Sequence, residues 1–388
     1  MASDSVHKEV ELKFAEFFAG IGLVRMGLER SGWTCAFAND IDPKKLEMYS
    51  AQYPDFGEHF VLGDIRNLDI SQLPVVDLAS ASFPCTDLSL AGARAGLAGE
   101  HSSALWPFLE LLHKIELIRP PIVLLENVPG FLTSHGGADF KSALLALNRL
   151  GYEVDALIID AAHFVPQSRP RMFVVATYRP LQFRVCERRK MPKLFESQVR
   201  PAALAQFILD NPGINWNIRE LPTLPVRSSD LPAILEPMSD DAPEWWSPAR
   251  TEYLVNQMSS KHRQIADEMA SRKEATYGTV FRRVRNGKSM AELRVDGIAG
   301  CLRTPKGGSG RQILFRAGNG RYNARLLTPR ECARLMGADD FPVNVPQNQA
   351  LFGFGDAVCV PVIDWLARNY LNPLLHELTS AECRMARA

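Results

Sequence analysis

Two periodicities exchange regularly through the first 178 residues, and this leaves few folds open to the chain. Residues 12–18 form a short apolar run that reads as a strand. Gly20 and Gly22 mark a tight turn, and residues 23–31 put Leu23, Met26, Gly27 and Leu28 on one helical side. The pattern then recurs. Residues 33–38 read as a strand ending at Asn39-Asp40, 43–53 as a helix, 75–81 as a strand and 105–118 as a helix. A strand at 122–125, a helix at 140–150 and a strand at 172–177 follow. Strand, helix, strand at this spacing predicts a mostly parallel α/β sheet that receives ligands at the carboxyl ends of its strands. After about Pro180 the regularity lapses. Residues 186–320 carry Pro222, Pro225, Pro232, Pro237, Pro243, Pro248 and the run Gly307-Gly308-Ser309-Gly310, and read as a smaller, irregular second unit. Helical spacing returns at 328–336 and 358–370. Thr328 is placed as N-cap, Pro329 as the first helical residue and Glu331 three residues after the cap. The chain is therefore expected to come back to the first unit.

At 388 residues the chain exceeds the roughly 250–300 at which one core stops growing, so two domains are expected. An apolar fraction of 46% with 23% charged residues excludes wholesale disorder, collagen-like repeats and coiled coil. The seven cysteines form no CxxC pair, which argues against a zinc site or a disulfide scaffold and for a reducing compartment. No signal-type leader opens the sequence, and no stretch reads as the roughly 18–20 apolar residues that span a bilayer, so a soluble intracellular protein is expected. The formal net charge of zero conceals an asymmetry. Residues 1–180 hold 15 Lys+Arg against 22 Asp+Glu, residues 181–320 hold 22 against 15, and the remainder is balanced at 7 against 7. An acidic part that handles a small molecule beside a basic part that meets a polyanion is one reading; a solvated basic face is the other.

Chemistry-bearing residues fall at the expected strand ends. Phe17-Phe18-Ala19-Gly20-Ile21-Gly22 follows the first strand, and Asp40 closes the next one 20 residues after Gly20. Glycines admit close approach of a ligand, and an acid at that second position suits ribose hydroxyls. The third glycine of a dinucleotide fingerprint is missing, which fits an adenosine cofactor without pyrophosphate. Asp64 sits at the end of a possible third strand, either facing an adenine amino group or serving as an ordinary turn residue. Pro84-Cys85 lies on the loop leaving strand 75–81, where a thiolate nucleophile would be useful, although most lone cysteines are inert core residues. Glu126-Asn127-Val128 and Gln167-Ser168-Arg169-Pro170-Arg171 would bring a carboxyl group and two guanidinium groups to the same crevice.

In this order these segments, with Arg325-Leu326-Leu327-Thr328-Pro329-Arg330-Glu331 and Gly355-Asp356-Ala357-Val358 downstream, resemble the DNA (cytosine-5) methyltransferase family over residues 14–368. The resemblance implies a Rossmann-like S-adenosylmethionine-dependent methyltransferase sheet with a second, target-recognition domain. Cys85 would be the nucleophile and Glu126 the acid that engages ring N3. Arg169 and Arg171 would line the base pocket, with Asn127 positioning the loop. Phe18, Gly20, Gly22, Leu23, Asp40, Ile41, Asp64, Ile65, Pro84, Leu105, Asp356, Ala357 and Val358 would hold S-adenosylmethionine. Ser89, Arg282, Arg283, Arg285, Lys288, Arg303, Lys306 and Arg311 would meet double-stranded DNA, and no metal is called for. Two departures stand out. Glu16 occupies a place where the family commonly has Asp and is expected to keep the charge. Asp356 replaces an Asn, putting a carboxylate beside the expected cofactor pocket.

The expected organisation is a catalytic domain over 1–185 completed by 350–388, with 186–349 as the recognition domain. A cytoplasmic, nucleoid-associated monomer of prokaryotic or phage type is implied, acting alone or beside a restriction endonuclease of the same site. Trp245-Trp246 reads as a stacking wedge or as an interdomain pair. A tRNA-modifying relative of the family is the nearest rival, set aside because the Cys-Phe-Thr segment associated with that branch is missing. The intact Cys85, Glu126 and Arg171 argue against a decayed DNA-binding scaffold, and the missing pyrophosphate glycine with the Pro84-Cys85 loop argues against a nicotinamide oxidoreductase.

Overall fold

A computed structural model describes residues 11–84, 104–178, 196–285, 287–304 and 310–385, so Cys85, Ser89 and Lys306 lie outside the described residues. The first half builds β1 (Leu12–Phe17), α1 (Leu23–Glu29), β2 (Trp33–Asp40), α2 (Pro43–Gln52), β3 (Phe60–Leu62) and β4 (Leu78–Ala81). It continues through α3 (Leu105–Lys114), β5 (Ile122–Asn127), α4 (Gly130–Thr133), α5 (Ala138–Arg149), β6 (Tyr152–Asp160) and β7 (Pro170–Tyr178). These seven strands form one sheet in the order β3-β2-β1-β4-β5-β7-β6. β1 to β5 run parallel; β7 is antiparallel to both β5 and β6.

Side-chain alternation explains why the sheet is apolar throughout. Phe14, Leu124, Phe173 and Val175 enter a core on one face, while Ala15, Val123, Leu125, Val174 and Ala176 enter a second core on the other. A parallel strand covered on both faces must be apolar at successive positions, and this is the run the sequence displays. β6 was not expected, because Glu153, Asp155 and Asp160 break its apolar run. Asp155 is fully buried, and Arg200 meets its two oxygens from Nη2 at 2.8 and 2.7 Å while the Tyr370 hydroxyl donates at 3.0 Å. Compensation by residues 45 and 215 positions away is invisible to local periodicity.

The second unit is irregular over 211–247, as expected, but is more regular than expected from Pro248 onward. α6 (Ala202–Asp210) still packs in a core of the first sheet through Leu204, Ala205 and Ile208; beyond it α7 (Pro248–Asn256) and α8 (Ser260–Ala270) lead into β8 (Thr276–Arg285), β9 (Lys288–Arg294), β10 (Ile313–Gly318) and β11 (Arg321–Leu326). They form a four-stranded antiparallel sheet in the order β11-β10-β8-β9. Its own core gathers Leu254, Val255, Ala266, Met269, Val280, Ala291, Leu293, Ile313 and Phe315. Trp245 packs against the first core and Trp246 against this one, so the pair straddles the junction.

The chain returns through α9 (Pro329–Leu335), α10 (Gln347–Asp356), α11 (Val360–Leu366) and α12 (Asn372–Met385). Thr328 and Glu331 form the reciprocal capping box the sequence predicts, with Pro329 in the first turn. Against expectation, the segment Gln347–Ser380 is apolar enough by length and composition to cross a membrane, with a window of mean hydropathy 1.5. Non-helical residues Ala357–Cys359 interrupt it, and its apolar side packs in the first core through Phe354, Val360, Ile363, Leu366 and Leu371. That return is latched to the turn after α1 and to the start of β2. The Ser31 hydroxyl donates to Asp364 Oδ1 at 2.6 Å and Trp33 Nε1 to Asn372 Oδ1 at 2.7 Å.

Candidate active site

The strand order sets the site out in a line, with Asp64 just past β3, Asp40 at β2, the Gly20 turn at β1, the Pro84 loop at β4 and Glu126 at β5. At the turn, Phe18, Gly20 and Gly22 all have positive φ, at 56°, 59° and 80°. Gly22 is required for space as well as conformation, since a Cβ there would fall 2.5 Å from the Tyr53 ring and 2.8 Å from that of Tyr49. The Tyr53 hydroxyl donates to the Gly22 carbonyl at 2.6 Å. Asp40 fastens this turn to β2: Oδ2 accepts from Gly20 N and Oδ1 from Asp42 N, each at 2.8 Å. Asn39 Nδ2 donates to the Val61 and Gly63 carbonyls at 2.9 Å and holds β2 to β3, while Asp64 caps the next turn through Arg66 N at 2.9 Å.

The residues expected to hold an adenosyl cofactor fit that group. Ile41, next to Asp40, is 64% exposed, an apolar side chain available to cover a flat ring, and Phe18 is half-buried at the same edge. The side chains of Leu23, Ile65, Leu105 and Val358 are buried in the cores, so contact there would be made by backbone. Pro84 is exposed and Ala357 half-buried.

At the other end of the line Glu126 is buried, and Arg171 Nε lies 3.1 Å from its Oε1. Burial pushes the Glu126 carboxyl above the usual carboxylate range, outweighing Arg171, Arg169 and a hydrogen bond from Ser82. Asn127 Nδ2 donates to the Phe83 carbonyl at 3.1 Å and its Oδ1 accepts from Val128 N at 2.8 Å, tying the end of β5 to the loop that leads into Pro84-Cys85. Arg169 is 1% exposed and acts as a strut. Its Nη1 donates to the Leu302 carbonyl at 2.9 Å, its Nη2 to the Gly355 carbonyl at 3.0 Å and to the Ala357 carbonyl, and the Asp160 side chain holds its backbone N–H. Arg169 thus joins the first sheet, the second unit and the C-terminal return. Cys301, unnoticed in the sequence, puts its sulfur 3.4 Å from Arg169 Nη1 and 3.9 Å from both terminal nitrogens of Arg171. Burial alone would raise this thiol, but Arg169 and then Arg171 pull it below the ordinary thiol value.

Both sequence departures take unexpected forms. Glu16 is buried with Cys35, Tyr49 and Tyr53 near Arg25, and burial pushes its carboxyl up to about 8, so at neutral pH it does not keep the charge. Asp356 is paired, with its Oδ2 3.1 Å from Lys45 Nζ on α2.

The basic residues are divided. Arg282, Arg283, Arg285 and Lys288 sit on the β8–β9 hairpin, where Arg285 Nη2 is 2.7 Å and Arg283 Nε 3.8 Å from Glu292. Arg303 is exposed on the segment beside Gly355, and Arg311 Nη2 donates to Asn348 Oδ1 at 2.6 Å.

The chain is 30% identical over 364 residues to the Type II methyltransferase M.DsaV of Dactylococcopsis salina, covering 93% of this chain and 86% of that one. It is 28% identical over 411 residues to a DNA-cytosine methyltransferase of Escherichia coli K12, with 93% and 78% covered. It is 28% identical over 362 residues to the Type II methyltransferase M.MspI of Moraxella sp, with 92% and 70% covered. Among solved structures, the Entamoeba histolytica methyltransferase EhMeth superposes with a TM-score of 0.61 at 17% identity, covering 95% of this chain and 99% of that one. The Schizosaccharomyces pombe Dnmt2 methyltransferase, with a TM-score of 0.58 at 18% identity over 95% and 99%, shares the fold likewise. The model of the C-5 cytosine-specific DNA methylase family matches residues 12–372, and the chain belongs to that family of DNA-cytosine methyltransferases.

Proposed function

We propose that the enzyme methylates C5 of one cytosine within a specific duplex sequence, after swinging that base out of the helix, through a covalent bond between Cys85 and C6. The observation that carries this reading is the buried Glu126 carboxyl held against Arg171 at the end of β5, one strand from the Pro84-Cys85 loop. Cytosine C5 is a poor nucleophile until C6 is attacked, and the attack is eased when N3 receives a proton or hydrogen bond. Glu126, raised by burial, stays protonated to a higher pH than a free carboxyl and can donate to N3. Arg171 presents donors toward the base carbonyl.

S-adenosylmethionine supplies the electrophilic methyl group. Phe18, Ile41, Asp40 and Asp64 hold its adenosyl part, and Asp356, Ala357 and Val358 border the rest. Once C5 carries the methyl group, water takes up the C5 proton and the electron pair of that C–H bond expels the Cys85 sulfur as thiolate, which restores the aromatic ring. A stacked base cannot reach such a crevice, so the duplex must open at a cost of a few kcal/mol in lost stacking and pairing. The recognition region within 186–349, centred on the second sheet, supplies Arg282, Arg283, Arg285, Lys288, Arg303 and Arg311 to the phosphates or base edges. The protein acts as a monomer in the cytoplasm, at the nucleoid, and the Type II relatives favour a partner endonuclease reading the same site.

The test is transfer of labelled methyl to duplex DNA and to tRNA, for wild type and Cys85→Ser, followed by bisulfite sequencing of the product. Label in DNA that disappears in the variant, with DNA binding kept, is the expected result. Turnover retained by Cys85→Ser, or label confined to tRNA, would overturn the reading.

A further inference from the structure

The line of strand ends leaves one stretch of the crevice without an assigned role. If the ribose lies at Asp40 and the target base at Glu126, the part of the cofactor between them must cross the end of β1, since β1 stands between β2 and the β4–β5 pair. That intervening part is the sulfonium with its amino-acid arm, a zwitterion of one carboxylate and one ammonium group. At this place the protein holds two opposite charges that come from elements far apart in sequence. Lys45, on α2, runs along the turn, with its Cδ 4.0 Å from where a Cβ on Gly20 would stand. Its Nζ meets Asp356 Oδ2, at the end of α10, at 3.1 Å.

Both partners are fixed from behind. Arg169 donates to the Gly355 and Ala357 carbonyls, one on each side of Asp356. Gly355 itself has no room for a side chain, because a Cβ would lie 2.7 Å from the backbone of Arg303 and Thr304. Gln349, on the same helix as Asp356, donates to the Lys44 carbonyl at 3.0 Å and to Glu47 Oε2 at 2.7 Å, so α10 is tied to α2 two residues from Lys45. The pair still meets solvent, with side-chain exposures of 24% for Lys45 and 48% for Asp356. Burial would lower the Lys45 ammonium, but Asp356 and then Asp40 raise it above the ordinary lysine value. Asp356 also acts on Glu126, raising its carboxyl, which puts it within electrostatic reach of the base pocket.

We propose that Lys45 and Asp356 together form the seat for the amino-acid end of the cofactor, with Lys45 taking the carboxylate and Asp356 the ammonium. The proposal rests on the reading that the Gly20–Asp40 crevice takes an adenosyl cofactor. In the free protein the two charges satisfy each other. When the zwitterion enters, each exchanges a protein partner for a ligand group, and no unpaired charge is left in a partly enclosed place. The exchange also accounts for the carboxylate at 356, since an acid there is tolerable because Lys45 faces it.

The experiment is calorimetric binding of three ligands to the full-length protein: S-adenosylmethionine, S-adenosylhomocysteine, and 5′-methylthioadenosine, which lacks the amino-acid arm. Lys45→Met should weaken the first two by about tenfold or more, on the scale of one charge-assisted hydrogen bond, and methylthioadenosine by less than about twofold. Lys45→Arg should keep most of the affinity. Asp356→Asn should likewise weaken the first two and spare methylthioadenosine, because it removes the charge that faces the ammonium. Equal weakening of all three ligands by Lys45→Met, or of none, would overturn the proposal, and retained methylthioadenosine binding certifies that the variant is folded. Failure of the underlying reading looks different: the wild-type protein would bind none of the three, and both would fall together.

Discussion

The two sheets of this molecule solve the same problem in opposite ways. The seven-stranded sheet is covered on both faces, so its strands are apolar at successive positions, and its polar chemistry is pushed to the strand ends. The four-stranded sheet carries one core of its own, and its remaining positions are free to be charged. In β9, Ala291 and Leu293 face inward while Glu292 and Arg294 are only half-buried. The first arrangement fixes reactive groups by backbone ladders and buried partners. The second offers a charged surface whose members are held mostly by one another, as Arg283 and Arg285 share Glu292. A sheet buried on both faces and a sheet with one charged face are thereby combined within one chain.

That division can be broken or sharpened by substitution. Glu126→Gln should lower kcat by roughly 10²–10⁴, the usual worth of a positioned general acid. It should also remove the fall in activity that wild type shows as pH rises through the elevated Glu126 value. Single-turnover methylation across a pH series checks both. Arg200→Met strips the buried Asp155 of its cation and should cost about 3–5 kcal/mol, read as a drop in the urea midpoint. Glu16→Gln tests a pH dependence whose sign is fixed. The carboxyl titrates at about 8 when folded and near 4.5 when unfolded, so the wild-type protein loses stability as pH rises across that window. The variant should melt like wild type below about pH 4.5 and at a higher temperature above about pH 8, and coincident melting curves at high pH would contradict the assignment. Arg285→Ala has the smallest expected effect. Tm should stay within about 1 °C, consistent with an exposed pair worth at most about 1 kcal/mol. The slope of log K for DNA against log salt should flatten by about 0.9 if its guanidinium meets a phosphate. A stability loss from Arg285→Ala comparable to that from Arg200→Met would erase the contrast between the sheets.

Legibility in the sequence followed the same contrast. Asp40, Glu126, Asn127 and Arg171 could be picked out because each flanks an apolar run that had to be a covered strand. The capping box at Thr328 was equally readable, since it is a local contract among four residues. β6 escaped notice because Asp155 is acceptable in a buried strand only with Arg200 and Tyr370 nearby. β8 and β9 escaped because arginines on the open side drown a two-residue period. Lys45 and Cys301 were out of reach for another reason. Lys45 sits on a helix face and faces a residue 311 positions later, and Cys301 touches arginines 132 and 130 positions earlier. No local pattern records such encounters.

The latch between the start and the end of the fold bears on how the enzyme is born. Ser31 waits for Asp364 and Trp33 for Asn372, separations of 333 and 339 positions. At roughly 5–20 residues per second, a ribosome needs on the order of 20–60 s to cover that distance. Throughout that interval the nascent chain exposes the face of α1 that α11 will cover, and it carries Lys45 without Asp356. A half-made polypeptide therefore lacks Asp364 and Asn372, and this end of the fold stays unlatched until synthesis is nearly over. The same interval is when the uncovered face of α1 is open to chaperones or to misassociation with its neighbours on the polysome.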